Sequence, residues 1–195
     1  MRRSREETAE TRARIIEVAA RPEQPRGIEA TSVADVMSAA GLTVGGFYRH
    51  FDSKEALVVE AIEAASRETT VAHGTGGERG APERGAVALE AMLARYLSEE
   101  HRSHPGHGCP VAALCSEVAH EGRASKKAFT AALERLVASV SAATGRGPRG
   151  AREGALFAAS AAVGALVLAR ATHDDRLAGE LLSAVRKRLQ DDADA

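Results

Sequence analysis

The chain is poor in aromatic residues: 195 positions hold two Tyr, four Phe and no Trp. Any pocket must then be walled mainly by Leu, Val, Met and Ala, which argues against an aromatic cage for a large cation. Two cysteines in a chain of this length do not make a disulfide scaffold. An excess of one charge is missing too, since 26 Lys and Arg face 27 Asp and Glu, for a formal net charge of −1. No global field pulls the protein toward nucleic acid, so any such binding must come from local placement of Arg, Lys and His.

Long hydrophobic runs are also absent. The longest small-apolar stretch, "GALFAASAAVGALVLARA" (154–171), spans 18 residues, is dominated by Ala and Gly and is bounded by charge. It falls short of the roughly 20 residues of a bilayer span and reads as a buried helix, so no membrane is expected. The start, "MRRSREETAE", has no apolar segment of the kind that makes a secretory signal, and a cytoplasmic location is expected. Paired carboxylates, a nucleophile elbow and a phosphate-cradling loop are missing. "GTGGERG" follows a helical stretch rather than a strand and lacks the Lys-Ser or Lys-Thr that would hold a nucleotide. The expectation is a protein that is not an enzyme and needs no cofactor.

What is present is helical periodicity almost throughout, with no strand alternation, so the fold class is all-α. A first helix from about Glu6, with Thr8, Ile15, Val18 and Ala19 on one face, should stop at Pro22, since "RPEQPRG" carries two prolines. A short helix follows in "TSVADVMSAAG", capped by Thr31 or Ser32, striped by Val33, Val36, Met37 and Ala40, and ended by Gly41. In "FDSKEALVVEAIEAA", Asp52 and Glu55 have capping-box spacing, and Val58, Ala61, Ile62 and Ala65 recur at helical intervals. The break "HGTGGERGAP" divides the chain into residues 1–70 and 71–195. Beyond it, Leu89, Met92, Leu93, Tyr96 and Leu97 line one helix. Val111, Leu114, Cys115 and Val118 line a second, and Phe129, Leu133, Leu136, Val137 and Val140 a third. Two more close the chain; in the last, Asp174 and Asp175 sit at the N-terminal end and Arg186, Lys187 and Arg188 toward the other, as a helix dipole favours.

One stretch is chemically distinctive. Helix, Gly-containing turn and short helix, as in "SVADVMSAAG-LT-VGGFYRHF", is a helix-turn-helix, whose second helix enters the DNA major groove. Gly45 and Gly46 would each weaken a buried helix by about 1 kcal/mol relative to Ala, yet on a recognition helix they give the backbone clearance to approach DNA. Phe47 and Phe51, four apart, can pack inward and leave Tyr48, Arg49 and His50 outward. Three of the six aromatics fall in these five residues. The plainer alternative is an ordinary amphipathic helix with solvated polar residues.

The run Thr31 to Leu57, "TSVADVMSAAGLTVGGFYRHFDSKEAL", preceded by "TRARIIEVAA", resembles the TetR (tetracycline-repressor) family of bacterial transcription regulators. The resemblance implies a nine-helix subunit, with residues 1–70 as a DNA-binding head and 71–195 as a ligand-binding and dimerisation body. It also implies a homodimer that binds a pseudo-palindromic DNA operator and is governed by a small-molecule effector, most often as a repressor. By the same resemblance the DNA contacts fall on Thr43, Val44, Gly45 and Gly46, and on Tyr48 and His50. Lys54 and the hydroxyl of Thr31 or Ser32 would meet phosphate. Chemically, Tyr48, His50 and Lys54 suit phosphate oxygens, Thr43 and Val44 suit base edges and thymine methyls, and Arg49 suits either. One departure stands out. Where the family has a Leu and a Phe after its first helix, this chain has Pro22 and Glu23, then Pro25, so an apolar brace for the head is missing.

The candidate ligand-binding residues of the body are Met92, Tyr96, Cys109, Val111, Leu114, Phe129 and Leu133. Pro110 suits a first helical turn and puts Cys109 at a helix N-terminus, where a thiolate is favoured; Cys115 reads as a buried hydrophobe. Six residues apart on one helix, the two cysteines do not face each other. The segment around His101, His104, His107 and Cys109 reads as a structural turn, a thiol-based redox or electrophile sensor acting through Cys109, or a metal site, though its spacing matches no standard finger. The two final helices have small residues and the stripe Leu177, Leu181, Ala184 and Val185. The resemblance implies that they pair with their copies as the dimer interface.

Overall fold

The computed structural model describes residues 5–21, 28, 31–73, 86–144 and 148–194. Among these are nine α-helices, two short 3-10 helices and no strand. The order is α1 (Arg5–Ala20), α2 (Val33–Ala39), a 3-10 helix (Val44–Arg49), α3 (Lys54–His73), α4 (Ala86–Tyr96) and α5 (Glu99–Ser103). A 3-10 turn (Pro105–His107), α6 (Pro110–Val118), α7 (Arg123–Thr144), α8 (Pro148–Ala171) and α9 (Asp175–Asp194) complete it. The proline-rich segment 22–27, where the missing brace is read, lies outside the described residues.

Two hydrophobic cores form. The smaller gathers Ile15 from α1, Val36 and Met37 from α2, Phe47, Phe51, and Leu57 from α3. The larger begins at Ile62, one turn further along α3, and runs through α4, α6, α7, α8 and α9. The long helix α3 therefore belongs to both, and it packs on α1 and on α7. The amphipathic stripes place Leu89, Met92, Leu93 and Tyr96 of α4 and Val137 and Val140 of α7 in that larger core.

Local chemistry explains most helix ends. Ser32 caps α2 through a complete capping box: its hydroxyl accepts from the Asp35 N–H at 3.1 Å, and the Asp35 carboxylate accepts the Ser32 N–H at 2.9 Å. At the other end Gly41 takes φ +68, the one positive φ among the described residues. There the Leu42 N–H reaches Met37 O at 2.8 Å and the Gly41 N–H reaches Ser38 O at 2.9 Å, a Schellman closure. The cap of α3 is not the Asp52 expected from spacing but Ser53, whose Oγ accepts from the Ala56 N–H at 3.1 Å; α3 begins at Lys54, which puts Ser53 in the cap position. Asp174 caps α9, its Oδ1 accepting from the N–H groups of Arg176 and Leu177. Because α9 runs on to Asp194, Arg186, Lys187 and Arg188 lie inside it and not in its last turn, so the dipole argument made for them does not apply.

In α8, residues 152–171 are long and apolar enough to cross a membrane by length and composition. In the fold the helix packs between α7 and α9, with Ala155, Leu166 and Ala169 fully buried.

Candidate nucleic-acid interface and cavity

The Schellman turn delivers the chain to Thr43 in extended conformation, and residues Val44–Arg49 then wind as a 3-10 helix rather than the α-helix expected. The two glycines in this segment weaken α-helical winding, and 3-10 turns are common in short connecting pieces. Its inner side is Phe47, fully buried, stacked on Phe51 at 5.5 Å and meeting the Tyr48 ring edge-on at 5.2 Å. Its outer side presents Thr43, Val44, Gly45, Tyr48 and Arg49, all exposed, with the Tyr48 ring 73% accessible.

The two glycines are not equivalent. A Cβ at Gly45 would meet nothing within 4 Å, so clearance there is on the outside. A Cβ at Gly46 would face Met37 Cε at 3.7 Å, so its missing side chain faces the head's own core and offers no clearance to DNA. His50 is half-buried at the end of the turn, less outward than expected. Lys54 and Thr31 are half-buried and Ser32 is exposed.

Arg12 of α1 braces this surface from behind. Its guanidinium sits 4.7 Å above the Phe51 ring, donates to His50 O at 3.3 Å and forms a bidentate pair with Glu60 of α3. This one side chain ties α1, the end of the presenting turn and α3 together. Its partners lie 38 to 48 residues away, so no local pattern marks it.

Between α1, α2, α3, α6 and the end of α8 lies a cavity of about 700 Å³, within the range of small-molecule sites. Val36, Val58, Ile62, Leu114 and Val167 contribute to its wall, with Thr31, Ser32 and Lys54 at the head side. Of the seven candidate ligand residues, only Leu114 lines it. Met92, Tyr96, Cys109 and Val111 instead surround a gap of about 20 Å³, too small for a ligand. Phe129 and Leu133 pack against the larger core.

The expectations for the two cysteines reverse. Cys109, at the N-cap of α6 as expected, is 2% exposed and closed off from solvent. Cys115, expected to be buried, is half-buried and lies on the cavity wall, because α6 turns that face toward α3 across the open space. The histidine cluster also disperses. His101 is buried with both ring nitrogens used: Nε2 accepts from the Cys109 N–H at 3.0 Å, so Nδ1 carries the proton and donates to Tyr96 O at 2.7 Å. His104 and His107 are exposed. No group of three His, Cys, Asp or Glu suited to a metal occurs among the described residues.

The same node holds Tyr96, Gly108 and Arg170. Burial first, then the Cys109 thiol, pushes the Tyr96 phenol well above its ordinary range. A Cβ at Gly108 would fall 2.5 Å from His101 Nε2, so the close approach of the chain there requires glycine.

Residues 15–61 match the family described as "Bacterial regulatory proteins, tetR family", and residues 85–181 match "Transcriptional regulator LmrA/YxaF-like, C-terminal domain". The chain is 44% identical over 64 residues to the HTH-type transcriptional regulator TtgR of Pseudomonas putida, a match spanning 33% of this chain and 30% of that protein. An uncharacterized HTH-type transcriptional regulator of Mycobacterium tuberculosis is 28% identical over 172 residues, or 84% of this chain and 86% of that one. Among solved structures, a TetR transcriptional regulator from Chloroflexus aurantiacus superposes with a TM-score of 0.75 at 24% identity, covering 95% of both chains.

Proposed function

Given that the chain belongs to the TetR family of DNA-binding transcriptional regulators, we propose that it is a ligand-responsive repressor that binds a pseudo-palindromic operator as a homodimer in the cytoplasm. The observation that carries this reading is the exposed ridge of Thr43, Val44, Gly45, Tyr48 and Arg49, held outward by the fully buried Phe47. Tyr48 and Arg49, with Lys54 at the start of α3 and Thr31, Ser32 and His50 nearby, supply hydrogen-bond donors for phosphates. Thr43 and Val44, at the leading end, supply contacts for base edges, and Gly45 allows close approach. Gly46 would take part through its backbone.

Residues 1–70 act as the head and 71–195 as the body. The meeting of two cores within α3 supports a division into head and body, since Leu57 belongs to the smaller core and Ile62 to the larger. An effector in the cavity between head and body would touch both. For the homodimer, Leu156, Phe157, Leu168 and Leu177 on α8 and α9 are 41–58% exposed, an apolar face that a second copy would cover.

The test is a gel-shift titration on a bound duplex. Tyr48→Ala combined with Lys54→Ala is expected to weaken binding at least tenfold across sequences and to lessen its salt dependence. Unchanged affinity in that variant would count against the assignment of the interface.

A further inference from the structure

The 700 Å³ cavity is walled by apolar surface that the fold leaves uncovered. Val18 of α1, Val58 of α3, Leu114 of α6 and Val167 of α8 all line it, and each is only half-buried. Aliphatic side chains of head and body thus border the same open space, an exposure that an apolar ligand would remove. Among the described residues no aromatic ring lines the cavity, so nothing there favours stacking on a planar ligand.

The charged residues of the wall, Lys54, Arg102, Glu117 and Arg170, are engaged by the protein itself. Arg102 is held by Glu99 at 2.8 Å and Asp175 at 2.7 Å, and Glu117 accepts the Ile28 backbone N–H. Arg170 donates from Nη2 to His101 O at 2.6 Å and from Nε to Arg102 O at 3.3 Å, and its Nη1 is closed off from solvent. Lys54 is not free either. A charged ligand would leave water for a wall whose own charges are already committed, and a charge moved out of water without a partner is heavily penalised. We propose that the effector taken by this cavity is an uncharged, mainly aliphatic molecule that touches Val18 and Val58 of the head and Leu114 and Val167 of the body. This inference rests on the reading of the protein as ligand-responsive and specifies the chemistry of that response.

The experiment compares decanol with decanoate and decyltrimethylammonium, the same chain carrying a negative or a positive head, each below its aggregation concentration. Binding is read by calorimetric titration of the full-length protein in the absence of DNA. Decanol is expected to bind at least tenfold more tightly than either charged probe. Bound decanol should also slow modification of Cys115, half-buried on the same wall, by a thiol reagent followed by peptide mass, which locates the ligand in this cavity. Leu114→Lys adds an uncommitted cation to the wall and should shift the ratio of the decanoate and decanol affinities at least tenfold toward decanoate. A preference for decanol smaller than tenfold, no binding of decanol, no protection of Cys115, or a ratio unmoved in folded Leu114→Lys would overturn the proposal. If Leu114→Lys does not fold, the probe comparison and the Cys115 protection in wild type decide it alone. A separate titration of the protein–DNA complex with decanol distinguishes the two readings. Selective, Cys115-protecting binding that leaves DNA affinity unchanged upholds the site and overturns the ligand-responsive reading, while the absence of selective binding overturns the site without touching that reading.

Discussion

At the scale of single residues, Phe47 carries the presenting surface. It is fully buried between α2, α3 and Phe51, so every exposed side chain of the turn is positioned through it. Phe47→Ala should cost about 3–5 kcal/mol, read as a lowered denaturation midpoint. Tyr48→Ala, one residue on, should cost less than about 1 kcal/mol, since it removes a ring that is 73% accessible and touches Phe47 only by its edge. Tyr96 behaves oppositely, as a buried phenol. Its folded pKa is raised, so the stability it contributes is fully present below the pKa of an unfolded tyrosine, about 10, and is lost as pH rises through the folded value. Denaturation monitored across the alkaline range should show a decline that Tyr96→Phe reduces. The inward pairing of Phe47 with Phe51 was legible because it follows from four-residue spacing. The Arg12–Glu60 pair was not, because charge partners 48 residues apart are chosen by the tertiary fold.

At the scale of elements, helix stripes could be read directly from periodicity, while caps and helix type depended on one-residue differences. "FDSKEAL" contains two good capping residues side by side, and only the observed start of α3 decides between them. Ser53→Ala should therefore destabilise the head by about 1 kcal/mol, and Asp52→Ala by clearly less, in the same denaturation assay. The short recognition segment illustrates the complementary limit. Its inner and outer sides could be assigned, but 3-10 winding brings Gly46 inward against Met37 and His50 partly under cover, which a 3.6-residue period does not foresee. Similarly, α6 was recognisable from Pro110, yet the direction it faces reverses the roles of its cysteines. A thiol reagent should modify Cys115 well before Cys109, as peptide mass analysis would show.

At the scale of the whole molecule, the architecture is two cores threaded by one helix, with a cavity at their junction. The all-α class and the helix-turn-helix were legible because they rest on local pattern and a dense motif. The position of the cavity was not, because it arises where α1, α2, α3, α6 and α8 leave space between them, and those elements come together only in the fold. The small-residue run 154–171 showed a closely packed helix, but Ala and Gly have too little contrast to say which side stays uncovered; the structure puts Phe157 and Leu168 there. Phe157→Glu with Leu168→Glu should convert a dimer to a monomer in sedimentation and weaken DNA binding together with it. The most direct measurement is selection of bound duplexes from a random pool by the wild-type protein, followed by sequencing. The account predicts an enriched inverted repeat with two half-sites related by two-fold symmetry, and recovery of the same repeat in lower yield by the Tyr48→Ala, Lys54→Ala variant. Enrichment of a single asymmetric site, or of no sequence at all by the wild type, would contradict it.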